Sequence, residues 1–92
     1  EFDLSICLDI GHMAIHGLDW KAFYQSRASR IPIIHFYGFD KAHEHKGLEQ
    51  LSSERRREIG AVLKTFSGTL CLEVFSLAHL QSSLAVLSEM MT

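Results

Sequence analysis

The chain has no long apolar run, almost no net charge and only two cysteines. No segment is long enough for a transmembrane helix, and none is built like a signal peptide. A net charge of −2 and a pI near 6.3 give no general attraction to nucleic acid or to an anionic membrane. The one basic run, Arg55-Arg56-Arg57, reads as the solvated face of a helix rather than a phosphate-binding patch. Cys7 and Cys71 fall in separate apolar runs with a third run between them. Strands two places apart lie about 9.6 Å from each other, and a disulfide needs Cα atoms within about 7 Å. Both thiols are therefore expected reduced, which favours a cytoplasmic setting. With 92 residues, a hydrophobic fraction of 47% and no low-complexity stretch, the composition is that of one small folded unit.

Three short apolar runs carry the chemistry. They are Cys7–His12 (CLDIGH), Ile33–Gly38 (IIHFYG) and Cys71–Ser76 (CLEVFS). If each is a strand, its side chains alternate between two faces. Ser5, Cys7 and Asp9 then share a face, as do Ile33, His35 and Tyr37, and Thr69, Cys71 and Glu73. Asp9, His35 and Glu73 all fall late in their strands, opposite the more uniformly aliphatic side. Three strand ends that converge an Asp, a His and a Glu imply a shared site rather than a core.

Helical patterns separate the runs, which implies βαβ units and a parallel sheet. A glycine-bounded loop, GHMAIHG, is expected after the first strand. A helix capped by Asp19 should then run to about Arg30, with Trp20, Phe23 and Tyr24 as a packing stripe. Ile31-Pro32 closes that unit. A long polar loop from Gly38 to about Leu51 carries His43, Glu44 and His45, and loops of that length tend to be functional. Ser52 or Ser53 should cap a helix reaching about Phe66, with Gly68 in a left-handed C-terminal position. Ser76 should cap a last helix with Leu77, Leu80, Leu84 and Leu87 on one side and His79 at the surface. Function in parallel α/β folds gathers at the carboxyl ends of strands, where Asp9, His12, His35, His43, His45 and Glu73 are all expected.

Carboxylate and imidazole donors without thiolates suit zinc, manganese or ferrous iron. Asp9 and His12 form a D-x-x-H, one donor on the strand and one in the turn after it. His12 and His16 are spaced i, i+4, but on a stretch read as loop. Cys7 and Cys71 share the donor face at a deeper level and are read as packing. Such a metal could polarise a phosphoryl or carbonyl oxygen, clamp a phosphodiester as one of a pair, or assist proton transfer beside a sugar carbonyl. Residue types alone leave these open.

The succession CLDIGH, IIHFYG, an H-E-H loop and CLEVF resembles the C-terminal half of the xylose-isomerase-like TIM barrels, which include the AP endonuclease family 2 type and several sugar isomerases and epimerases. In that superfamily a D-x-x-H ends the sixth strand, a histidine the seventh and a glutamate the eighth. The resemblance thus implies Asp9, His12, His35 and Glu73 as metal ligands. The D-x-H that follows the seventh strand in the endonuclease type reads His43-Glu44-His45 here, so His45 matches, as a further implied metal ligand that would bind a second metal or orient water with His12, and His43 replaces an aspartate. LDIGH, the H-x-x-G of His35 to Gly38, Glu44-His45 before Leu48, and LEVFS before a leucine-rich helix are similar to the cobamide-remodelling, CbiR-like phosphodiesterase branch, although Tyr37 stands where that branch often has histidine.

The resemblance implies a metal-dependent hydrolase of a cobamide nucleotide-loop phosphodiester or a similar small phosphodiester, with Glu73 and His45 as catalytic residues. The alternatives are a metal-dependent sugar isomerase or epimerase, and a non-catalytic half-barrel. A full barrel has about 250 residues, so the chain is expected to supply the last three of eight βα units and to be inactive alone. Open strand edges and exposed Ile33, Tyr37 and Phe75 then imply self-association or pairing with the rest of a barrel.

Overall fold

The computed structural model describes residues 5–41 and 43–92. Three strands, β1 (Cys7–Asp9), β2 (Ile33–Phe36) and β3 (Thr69–Leu72), form one sheet in the order β1-β2-β3. Both pairings are parallel. Among the described residues four α-helices accompany them: α1 (Ile10–Ile15), α2 (Trp20–Arg27), α3 (Ser53–Leu63) and α4 (Leu77–Met90). The architecture is α/β with three βα units, as the alternation of strand and helix patterns requires.

Alternation along the strands decides which face is covered. Leu8, Ile34 and Phe36 are buried and join one core with Trp20, Tyr24, Ile59, Leu63 and Val86 from the helices. Cys7, Ile33 and Cys71 point the other way and are exposed. The helices therefore cover one face of the sheet. The register sets Asp9 beside His35 and His35 beside Cys71. Glu73 lies just past β3, and its N–H donates to the Phe36 carbonyl at 2.8 Å, which carries the ladder one step further.

Several local expectations change. The GHMAIHG stretch is not a loop; residues 10–15 form α1 directly after β1. Asp9 is both the last strand residue and the helix N-cap, accepting the His12 N–H at 2.9 Å, so the chain turns without a linker. Gly11 permits this, because a Cβ there would run into the Tyr37 ring. Tyr37 in turn is fully buried rather than exposed. β2 ends at Phe36, so strict alternation stops before Tyr37, and its ring lies over α1.

In α4 the leucine stripe is only half used. Leu80 and Leu87 are partly buried, whereas Leu77 and Leu84 are 69% and 52% exposed. The inward residues are Ser83, Val86 and Met90. A polar contact sets this rotation: the buried Ser83 hydroxyl accepts the Leu48 N–H at 2.9 Å. The α3 helix stops at Leu63, and Thr65 turns back to bond the Val62 carbonyl and the Tyr24 hydroxyl. Gly68 is not left-handed; among the described residues positive φ belongs to Gly17 and His45. The caps at Asp19, Ser52 and Ser76 stand where expected.

The polar loop after β2 is tied down at its base. Gly38 and Lys46 form an antiparallel bridge, with N–H to carbonyl distances of 2.6 and 2.7 Å in the two directions. A side chain at Gly38 would strike the Gly47 carbonyl. The basic run is not wholly solvated either. The Arg56 guanidinium donates to the carbonyls of Leu51 and Glu49, and Arg55 lies over the Phe39 ring.

Candidate functional site at the carboxyl edge of the sheet

Two polar clusters occupy the carboxyl edge. The first is closed on itself. The Tyr37 hydroxyl lies 2.5 Å from Asp9 Oδ1 and 2.9 Å from Glu44 Oε1, and shares its one proton between them. His12 completes the ring, since its backbone N–H donates to Asp9 Oδ1 at 2.9 Å and its Nδ1 lies 3.1 Å from Glu44 Oε1. With the proton on Nδ1, His12 donates to Glu44 and keeps Nε2 open. Each of the two carboxylate oxygens thus meets two donors. His45 stacks on this cluster, its ring 4.2 Å from that of Tyr37 and 5.2 Å from that of Phe75.

The electrostatics follow from these partners. Burial first, then the hydrogen bonds to Asp9 and Glu44, push the Tyr37 phenol far above its ordinary value. The Tyr37 hydroxyl, ahead of the His12 ring, holds the Glu44 carboxyl below its ordinary value despite some burial. Desolvation, then the Asp9 and Glu73 carboxylates and Cys71, raise the Cys7 thiol. Cys7 therefore stays protonated at neutral pH.

The second cluster is open. His35 Nδ1 stands 3.0 Å from Glu73 Oε1, within ion-pair reach. That oxygen is nevertheless buried and accepts no hydrogen bond, because the close approach lacks hydrogen-bond alignment. A buried carboxylate oxygen without a donor is costly, and among the described residues Glu73 Oε1 is the buried side-chain oxygen left without a hydrogen bond.

The expected site residues are therefore brought to one edge but divided. Asp9 and His12 belong to the closed cluster, with His45 stacked against it; His35 and Glu73 form the open pair. His43 is drawn off to Asp40, whose Oδ1 accepts both its backbone N–H and its Nδ1 contact. His16 caps α1 and packs its ring 4.4 Å from that of His12. His79 is at the surface beside Glu49. Among the described residues no three His, Cys, Asp or Glu side chains converge closely enough to hold a metal. The donor types, carboxylates and imidazoles, are those that suit a divalent ion. One surface cleft, of about 430 Å³, runs between Ile15, Phe39 and Arg55, away from both clusters.

Sequence reasoning missed two members. The sequence reading has Glu44 as part of the His43-Glu44-His45 loop and of the Glu44-His45 pair, and Tyr37 as an exposed aromatic where the resembled branch often has histidine, but assigns neither a role in the site. The available signal was the acidic residue following a strand end that already holds an Asp and a His. No protein-family model, no curated protein and no solved structure matches the chain.

Proposed function

We propose that this chain is the metal-binding edge of a (β/α)8 phosphodiesterase acting on a cobamide nucleotide loop or a similar small phosphodiester. The observation that carries this reading is Glu73 Oε1, buried beside His35 with no donor of its own. Asp9, His35 and Glu73 would hold a divalent zinc, manganese or iron ion. When bound, such an ion supplies Lewis acidity toward a phosphoryl oxygen and toward water. The protein's own residues do the rest. Tyr37 and the His12 N–H fix Asp9 through Oδ1 and leave Oδ2 free. His12 and His45 orient water, and Glu73 accepts its proton. Phe75, 79% exposed with the His45 ring 5.2 Å away, offers an aromatic face beside the edge for a planar base.

Metal binding is expected of this chain, and turnover of the completed barrel. After exposure to zinc or manganese and exhaustive dialysis, the wild-type chain should retain metal and Glu73→Gln should not. Full-length protein should hydrolyse a model phosphodiester such as bis(4-nitrophenyl) phosphate. Epimerisation of a ketose with no phosphodiester cleavage would replace this reading by the isomerase one. The proposal also expects association, since Ile33 and Phe75 are exposed beside open strand edges. Light scattering at micromolar concentration should show species larger than 10.4 kDa.

A further inference from the structure

We infer that the Tyr37 hydroxyl occupies the place of a cation between Asp9 and Glu44, and so limits this edge to a single metal. Two carboxylates that face one another at hydrogen-bond distance from a common point need positive charge or a proton between them. Here a neutral phenol supplies it. Its oxygen is 2.5 Å from Asp9 Oδ1 and 2.9 Å from Glu44 Oε1. The remaining donors at these oxygens come from one residue, His12, through its backbone N–H and its Nδ1. Between these two oxygens, Asp9 Oδ1 and Glu44 Oε1, no place is left for a cation. A bound ion between the carboxylates would have to displace a side chain that is fully buried.

The phenol is held there by packing rather than by the carboxylates alone. Its ring lies against Gly11 so closely that a Cβ would collide with it, and the His45 ring packs against it at 4.2 Å. The contrast with Glu73 is direct, because no hydroxyl reaches its buried oxygen. One carboxylate group at this edge is sealed by a tyrosine and the other is not. The count of one rests on the metal reading of the His35–Glu73 pair; the exclusion at Asp9–Glu44 does not.

The test is a manganese titration of the 92-residue chain by calorimetry, with folding checked by circular dichroism. Tyr37→Phe keeps the ring and removes only the hydroxyl. Wild type should bind one ion, lost in Glu73→Gln. The Tyr37→Phe chain should bind two, of which one survives the added Glu73→Gln change and is lost with Glu44→Gln. Wild type binding none while Tyr37→Phe binds one would uphold the exclusion and sink the metal role of Glu73. An equal count in wild type and Tyr37→Phe, or two ions already in wild type, overturns the inference. Should the Phe variant not fold, Tyr37→Leu gives the same comparison, with the same outcomes deciding.

Discussion

Glu44 and Glu73 sit at one edge of one sheet and differ little in exposure, 32% and 27% for their side chains. Each has a histidine Nδ1 within about 3 Å of Oε1. Yet Glu44 Oε1 is hydrogen-bonded by a phenol and an imidazole, while Glu73 Oε1 accepts none. The same functional group therefore serves two ends. On the loop it fastens, tying Glu44 to Tyr37 and His12 at the strand ends. After β3 its Oε1 has a histidine beside it but no hydrogen bond among the described residues. Charge and residue type alone do not distinguish a latch from a ligand; the alignment and number of donors do.

The sharpest way to break this comparison is through metal affinity. Glu73→Gln should weaken zinc or manganese binding by more than the roughly 100-fold that loss of a ligand's supporting partner causes. Glu44→Gln should change it by less than about 10-fold, the low end of that range. Equal losses in a chelator competition would erase the distinction between the two carboxylates.

Stability comes next. Gly11→Ala drives a methyl group into the Tyr37 ring and should cost about 1–3 kcal/mol in urea unfolding, the usual scale of overpacking. A smaller loss would mean that α1 shifts away cheaply and that packing does not hold the phenol. Tyr37→Phe removes a hydroxyl placed between two carboxylates and should cost about 1–2 kcal/mol in the metal-free chain. Glu73→Gln, which removes no donor, should leave metal-free stability within about 0.5 kcal/mol of wild type. A large loss there would show that the His35 contact is a real hydrogen bond and that Glu73 is structural.

The smallest effect is on pH. The Glu44 carboxyl is held below its ordinary value of 4.5, chiefly by the Tyr37 hydroxyl. Its contribution to stability is therefore complete above 4.5 and is lost as pH falls through the lower, folded value. Unfolding midpoints measured from pH 6 to pH 3 should fall less steeply in Glu44→Gln than in wild type. Tyr37→Phe should flatten the same window, since it removes the largest cause of the shift.

Much of this was written in the residue pattern. Period-two alternation in CLDI, IIHF and TLCL determined three strands and which face each would bury, because burial of Leu8, Ile34 and Phe36 admits only one register of inside and outside. Asp19, Ser52 and Ser76 marked helix starts, since their side chains bond N–H groups three residues on. Placing Asp9, His35 and Glu73 at one edge follows from parallel order alone. What tertiary structure decided is how those groups are paired. Tyr37 left strand alternation and turned inward because Gly11 leaves room for its ring, and α4 rotated away from its leucine stripe because Ser83 bonds Leu48. Glu44 reached Tyr37 because the Gly38–Lys46 bridge folds its loop back over the edge. These are contacts between residues distant in the chain, set by shape and donor count, and no local pattern encodes which carboxylate would find a proton and which would be left without one.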